Sequence, residues 1–166
     1  MADEEKVLRS LKATNSAFLR FINSTERKVD VVWMNYQGQH VKFKTLLPGT
    51  FFDANTYESH PWLFIDADTR DRLVVKSKDV YLPEPWFKQY ERIPIPIAAL
   101  PMRIERTKVY ITIPVFPLRQ RALQIVRDML QRPEDAFKLE IPTTLQKQLA
   151  RMVRDCSQTR LNCNPP

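Results

Sequence analysis

The sequence predicts an α+β protein: an N-terminal β-sandwich over residues 15–114, followed by a small α-helical domain over 115–155. Two observations lead there. Before residue 114 the apolar residues fall in short, β-branched or alternating runs separated by turn residues, the spacing of a sandwich or barrel. After Pro114 the apolar period becomes helical. Residues 1–14 read as an N-terminal tail and 156–166, CSQTRLNCNPP, as a flexible one.

The strands are justified in order. AFLRFIN at 17–23 alternates imperfectly and ends in the turn NSTE. VDVVWM at 29–34 is β-branched and is closed by NYQG. HVKFKTLL at 40–47 alternates cleanly and is closed by PGT. PWLFI at 61–65 ends at DAD, and shorter runs follow at 73–76 and 80–82. KVYITI at 108–113 is the last strand. The chain has two glycines, Gly38 and Gly49, and both fall in these turns, where a positive φ is cheapest for glycine. The segment 83–107 is rich in proline, including Pro94-Ile95-Pro96, and reads as an extended connector or an edge.

In the helical part, Leu118, Ala122, Leu123, Ile125, Val126, Met129 and Leu130 share an apolar face, with Arg119, Gln120, Arg121, Arg127 and Asp128 mostly opposite. Pro117 suits a first helical position and Pro133 a stop. A short helical turn is expected at 134–139. Pro142 then opens a second helix with Leu145, Leu149, Met152 and Val153 on one stripe. Two or three such helices are too few to build a core of their own. An apolar face without an internal partner implies an external one.

Composition narrows the function. The 166 residues are 43% hydrophobic, enough for a packed core. No apolar run approaches the roughly 18 residues that cross a membrane, and the charged start MADEEKVLRSLK lacks a signal-peptide core. An intracellular protein is expected, with no membrane partner. Cys156 and Cys163 suit neither a disulfide framework nor a metal site, and His40 and His60 lie far apart. No metal and no cofactor is expected. The net charge of +7 is spread without a Lys/Arg block, so a nucleic-acid partner is not expected either. There is no glycine-rich phosphate loop, no nucleophile elbow and no H-x-x-x-H pair, which argues against an enzyme.

The stretch TYESHPWLF at 56–64 holds one of two histidines and one of three tryptophans. In an extended chain His60, Trp62 and Phe64 point to one face, and Thr56 shares their parity if the stretch stays extended up to Pro61. A hydroxyl, an imidazole and an indole would then converge. The competing reading makes Trp62 and Phe64 core, with His60 at the rim.

Four segments, VWMN at 32–35, TLLPGT at 45–50, TYESHPWLFIDADTRDRL at 56–73 and ITIPVFPLRQRALQIVRDML at 111–130, together resemble the von Hippel–Lindau tumour-suppressor family. Order and spacing match from about residue 17 to 149, with a gap in the proline-rich connector. The resemblance implies a β-sandwich followed by a small α-domain. It implies a non-catalytic substrate receptor of a cullin–RING ubiquitin ligase, cytoplasmic and nuclear. The sandwich would bind prolyl-hydroxylated hypoxia-inducible factor α. The α-domain would dock on elongin C, which brings elongin B, a cullin and a RING protein. The family's hydroxyproline pocket then falls on Trp33, Phe43, Thr56, His60 and Trp62, with Asn55 and Tyr57 beside them. Phe43 stands where the family has tyrosine, and Thr56 where it has serine. The elongin-binding box falls on Leu118, Arg121, Ala122, Ile125 and Val126, with Ala122 in place of the family's cysteine. The cullin-selecting box falls on Ile141, Pro142 and Leu145. The family's last helix, which returns toward the sandwich, has no counterpart in 156–166. A receptor of the same assembly for a different degron is the alternative if Phe43 and Thr56 spoil the pocket.

Overall fold

The computed structural model describes residues 8–91 and 104–161, the last four by backbone alone. It divides into two compact units, Met1–Asp66 with Arg72–Ile113, and Ala67–Asp71 with Pro114–Pro166.

The first unit is a sandwich of two sheets. One sheet has β1 (Ser16–Asn23) at its centre, between antiparallel β4 (Phe51–Tyr57) and parallel β7 (Thr107–Ile111). The other orders β3 (His40–Leu46), β2 (Val29–Met34), β5 (Trp62–Asp66) and β6 (Arg72–Leu73), all antiparallel. The alternation in β1 sends Ala17, Leu19 and Phe21 inward, where each is at most 1% exposed. They meet Val29 and Val31 of β2, Trp62 and Phe64 of β5, and Val109 and Ile111 of β7 in one core. The opposite face of β2 and β5 is buried as well, with Val32, Met34, Leu63 and Ile65 forming a second cluster under Val80. This explains why β5 reads as a continuous apolar run rather than an alternating one.

Gly49 holds the turn between β3 and β4 at φ +73°, its N–H donating to Asn23 O at 3.0 Å. The strand that follows it, β4, is absent from the sequence reading. Its inward positions are Phe52, Ala54 and Thr56 and its outward ones include Asp53 and Asn55, so its period-2 signal is carried by small and polar residues. The proline-rich segment contains a 3-10 helix at Trp86–Tyr90 rather than being extended throughout. Its portion 92–103, with Pro94-Ile95-Pro96, lies outside the described residues.

The second unit carries α1 (Leu118–Met129), a 3-10 helix at Pro133–Lys138 and α2 (Thr143–Leu161). Pro117 is the N-cap of α1 rather than its first helical residue, and Pro133 opens the 3-10 helix after α1 has already ended. Contrary to expectation, these helices do build a core of their own. Leu123, Ala136, Leu149 and Ala150 are buried together, with Val126, Leu130, Leu139, Ile141, Leu145 and Met152 partly buried around them. The helix also runs to Leu161, into the stretch from 156 that was read as a flexible tail.

Arg127 corrects the sequence reading most sharply. The helical pattern puts it on the polar face of α1, yet its side chain is 4% exposed. Its Nη1 and Nη2 donate to both oxygens of Asp71, at 2.8 and 3.1 Å, and its Nε to Asp128 at 2.9 Å. Burial alone would lower its pKa, but the hydrogen bonds to Asp71 and Asp128 more than reverse that, so it stays charged.

Candidate functional site

The sandwich brings Trp33, Phe43, Asn55, Thr56, Tyr57, His60 and Trp62 around one cavity of about 210 Å³, with Phe52, Asp53 and Ala54 completing its wall. The route differs from the expected one. The chain does not stay extended from Thr56 to Trp62: it turns at 57–60, with His60 N–H donating to Tyr57 O at 3.1 Å. Thr56 therefore belongs to one sheet and Trp62 to the other. They meet because both point inward, and Trp62 Nε1 donates to Thr56 Oγ1 at 3.2 Å. Trp62 is at once core and cage wall: it is 3% exposed and packs on Phe21 at 5.1 Å.

Phe43 reaches the cavity through a bulge. β2 pairs Val31 with Lys44 and Val32 with Lys42, so Phe43 is the extra residue on β3. Its ring lies 5.2 Å from Trp62, 6.2 Å from Trp33 and 6.3 Å from Phe52, yet it is 52% exposed. It forms one side of the mouth rather than the floor. Asn55 and Tyr57 are outward positions of β4, also at the rim.

His60 is 7% exposed, and its ring is tilted over Trp33 at 5.4 Å with Tyr57 at 5.2 Å. Burial holds its pKa below the ordinary 6.5, so the ring is neutral at pH 7. At the rim Arg20 donates to both oxygens of Asp53, at 2.7 and 2.9 Å, and Arg106 approaches the same carboxylate at 3.4 Å. The Arg20 hydrogen bond keeps Asp53 below the usual carboxylate range.

Three contributors escaped the sequence reading. Tyr36 Oη lies 3.2 Å from His60 Nε2, and its ring stands edge-on to both Trp33 and His60. Ser10 accepts from Trp33 Nε1 at 2.8 Å and donates to Met34 O. Phe52 is the third. Ser10 also corrects the reading of 1–14 as a tail: it is 2% exposed, its N–H donates to Asn35 O, and Leu11 N–H donates to Ser59 O. Tyr36 sat in a turn motif and Ser10 in a polar terminus, and neither position signals a long-range hydrogen bond.

The second candidate surface is on α1. Leu118 is 86% exposed, Met129 75% and Ile125 44%, with Arg121 and Ala122 exposed among them. The apolar residues of α1 are thus two stripes rather than one. Leu123, Val126 and Leu130 face the helical core, while Leu118, Ala122, Ile125 and Met129 face outward. Of the predicted box, Val126 is on the inner stripe, partly buried against the helical core. Of the second box, Ile141 and Leu145 pack against the helical core, and Pro142 is exposed.

A family model described as the VHL beta domain matches residues 8–88, and one described as the VHL box domain matches residues 116–154. This chain belongs to the von Hippel–Lindau family. Over 138 residues it is 29% identical to Protein Vhl of Drosophila melanogaster, a match that covers 80% of this chain and 75% of the fly protein. Von Hippel–Lindau proteins are non-catalytic adaptors of ubiquitin ligases, and this chain is a substrate-recognition protein of that kind. A VHL box implies binding to elongins B and C and to a cullin. The aromatic cage lies within the matched beta domain, and the exposed stripe of α1 within the box. Among the described residues no helix is long and apolar enough to cross a membrane.

Proposed function

We propose that the aromatic cage reads a hydroxylated proline in an extended peptide, and that its substrate is prolyl-hydroxylated hypoxia-inducible factor α, delivered for ubiquitination and proteasomal degradation in oxygen sensing. The observation that carries this reading is a buried hydroxyl and a buried neutral imidazole, Thr56 and His60, set among the rings of Trp33, Phe43 and Trp62. A pyrrolidine ring fits the aromatic walls. A hydroxyl on it would find a donor and an acceptor. Unmodified proline would bury Thr56 and His60 against an apolar ring, at roughly 1–3 kcal/mol each. Together those penalties give a discrimination of about 30-fold to 10⁴-fold, the scale of a switch.

Among the described residues β4 pairs on one side only, with β1, so its other side supports main-chain pairing with an extended peptide. Asn55 and Tyr57 border that edge. On the helical unit, Leu118, Arg121, Ala122, Ile125 and Val126 would carry the elongin C contact. Ile141, Pro142 and Leu145 would carry the cullin contact, and a RING protein would complete the ligase. The chain's own contribution is proximity, holding a substrate lysine near ubiquitin carried elsewhere in the assembly. Such a receptor would work in cytoplasm and nucleus.

The test is a calorimetric titration of the full chain, with elongins B and C present, against two peptides of hypoxia-inducible factor α that differ only in the 4-hydroxyl of one proline. Strong preference for the hydroxylated peptide is expected, and equal affinities would overturn the reading. One observation favours a second reading, a receptor for a different degron. Phe43 presents a bare, half-exposed ring where the family's pocket has a tyrosine. Elongin binding without hydroxyproline discrimination would select it.

A further inference from the structure

The polar groups of the cage make two separate hydrogen bonds, Trp62 with Thr56 and His60 with Tyr36, which a ligand hydroxyl between Thr56 and His60 would join. The step taken here rests on the hydroxyproline reading. Trp62 Nε1 donates to Thr56 Oγ1 at 3.2 Å, and an indole N–H can only donate. Thr56 is 4% exposed, so its own proton must find an acceptor inside the cage. A ligand hydroxyl oxygen is that acceptor. The ligand's proton then needs an acceptor in turn, and the neutral ring of His60 has one lone pair to offer. Its Nε2 faces Tyr36 Oη at 3.2 Å, which leaves Nδ1 for the ligand. Tyr36 is 45% exposed, so its own proton has water to donate to.

We infer that Tyr36 is a positioning residue: by accepting from Nε2–H it holds His60 in the tautomer whose Nδ1 lone pair receives the hydroxyl proton of the substrate. Every member of the series Trp62, Thr56, ligand, His60, Tyr36 then donates to the next, and hydrogen bonds so aligned strengthen one another. The opposite tautomer would aim Nδ1–H at an oxygen already accepting from Thr56, and the ligand's proton would have no acceptor in the series. The ring of Tyr36 also packs edge-on against His60 at 5.5 Å and Trp33 at 5.8 Å. Tyr36→Phe keeps that packing and removes only the hydroxyl.

The experiment uses the full chain labelled with ¹⁵N-histidine, unsubstituted and as Y36F, and the same peptide pair. Bound to the hydroxylated peptide, the unsubstituted chain is expected to show His60 protonated at Nε2 alone. In Y36F the affinity for the hydroxylated peptide should fall roughly 3- to 10-fold, with the unmodified peptide unchanged. A proton on Nδ1 in the unsubstituted complex, or an unchanged affinity ratio in Y36F, overturns the inference alone. If the unsubstituted chain does not distinguish the two peptides, the hydroxyproline reading fails and takes this inference with it.

Discussion

The cage and the outer stripe of α1 are both built from large apolar residues, and they are opposites in every other respect. The cage is concave, and its polar groups are buried and already partly paired: Thr56 with Trp62, His60 with Tyr36, Trp33 with Ser10. The stripe is an exposed row instead, with Leu118, Ala122, Ile125 and Met129 held out to solvent. A surface of the second kind gains affinity in proportion to the area it covers and discriminates weakly. A surface of the first kind gains little from area and discriminates through the cost of leaving a buried polar group unpaired. A receptor that must choose its substrate but hold a constant assembly partner has use for one of each.

If the two surfaces are independent, damage to the helical unit should remove docking and spare reading. The largest effect is expected from Arg127→Ala. It removes the ion pair with Asp71, whose side chain is 9% exposed and keeps the Thr69 hydroxyl as a donor at 2.8 Å, and removing one partner of a buried pair costs about 3–5 kcal/mol. Denaturant unfolding followed by far-ultraviolet circular dichroism should show the helical signal lost early. Peptide affinity measured below that transition should be unchanged. An equal loss of peptide binding would show that the units are coupled and the comparison too simple.

Leu118→Asp should be more selective. At 86% exposed the side chain contributes little to folding, so stability should move by no more than about 0.5 kcal/mol. Burial of a leucine against a partner is worth roughly 1.5–3 kcal/mol, so elongin C binding should weaken about 10- to 100-fold. Co-purification at fixed elongin concentration measures it. Retained binding would move the docking surface elsewhere on the unit.

How much of this was legible depended on the range of the interaction. The alternating strands β1 and β3, the β-branched run of β2 and the two main helices were readable because their patterns are local. The strand β4 was not, since Asp53, Asn55 and Thr56 blur its apolar alternation. Strand parity brought Thr56, His60 and Trp62 together, the resemblance added Trp33, Phe43, Asn55 and Tyr57, and all seven line one cavity. The parity argument for Thr56 reached a true meeting by a wrong path, because the turn at 57–60 moves the chain between sheets. Arg127 was misplaced for a physical reason: an arginine on an amphipathic helix belongs on the wet side unless a carboxylate is buried with it, and Asp71 lies 56 residues away in sequence. Tyr36 and Ser10 belong to the same class of surprise.

The cage side of the comparison can be tested by pH. Burial lowers the pKa of His60, so the neutral ring is favoured in the folded chain and the acceptor role needs it neutral. Tyr36 and Tyr57 face the ring and Asp53 lines the same cavity. Asp53, held below the usual carboxylate range, stays charged between pH 5 and 8. Affinity for the hydroxylated peptide should therefore be flat above pH 7. It should decline only as pH falls through the lowered value, below the ordinary 6.5, where protonation of the folded ring removes the lone pair. The same sign holds for stability, since below 6.5 the unfolded chain takes up the proton before the folded one does. Elongin binding through the α1 stripe has no such group and should stay level. An affinity for the peptide that rises on acidification would mean a charged His60 is the reader.

The smallest expected effect sharpens the boundary between the two kinds of surface. Phe43 is the cage residue that most resembles the docking stripe: half-exposed, apolar, with nothing to leave unpaired. It sits at the bulge of β3, half-exposed in the lining of the cavity. Phe43→Tyr adds a hydroxyl there without disturbing the rings of Trp33, Phe52 and Trp62 packed around it. If the peptide runs past this edge with a free backbone group, the new hydrogen bond should add about 0.5–1.5 kcal/mol of affinity. The gain should be equal for the hydroxylated and unmodified peptides, because Phe43 lies outside the series from Trp62 to Tyr36. Titration of both peptides against the variant separates the cases. A gain confined to the hydroxylated peptide would place residue 43 among the groups that read the hydroxyl. An equal gain would leave discrimination to Thr56 and His60, and would make Phe43 a position that sets how tightly this receptor holds its substrate without changing which substrate it holds.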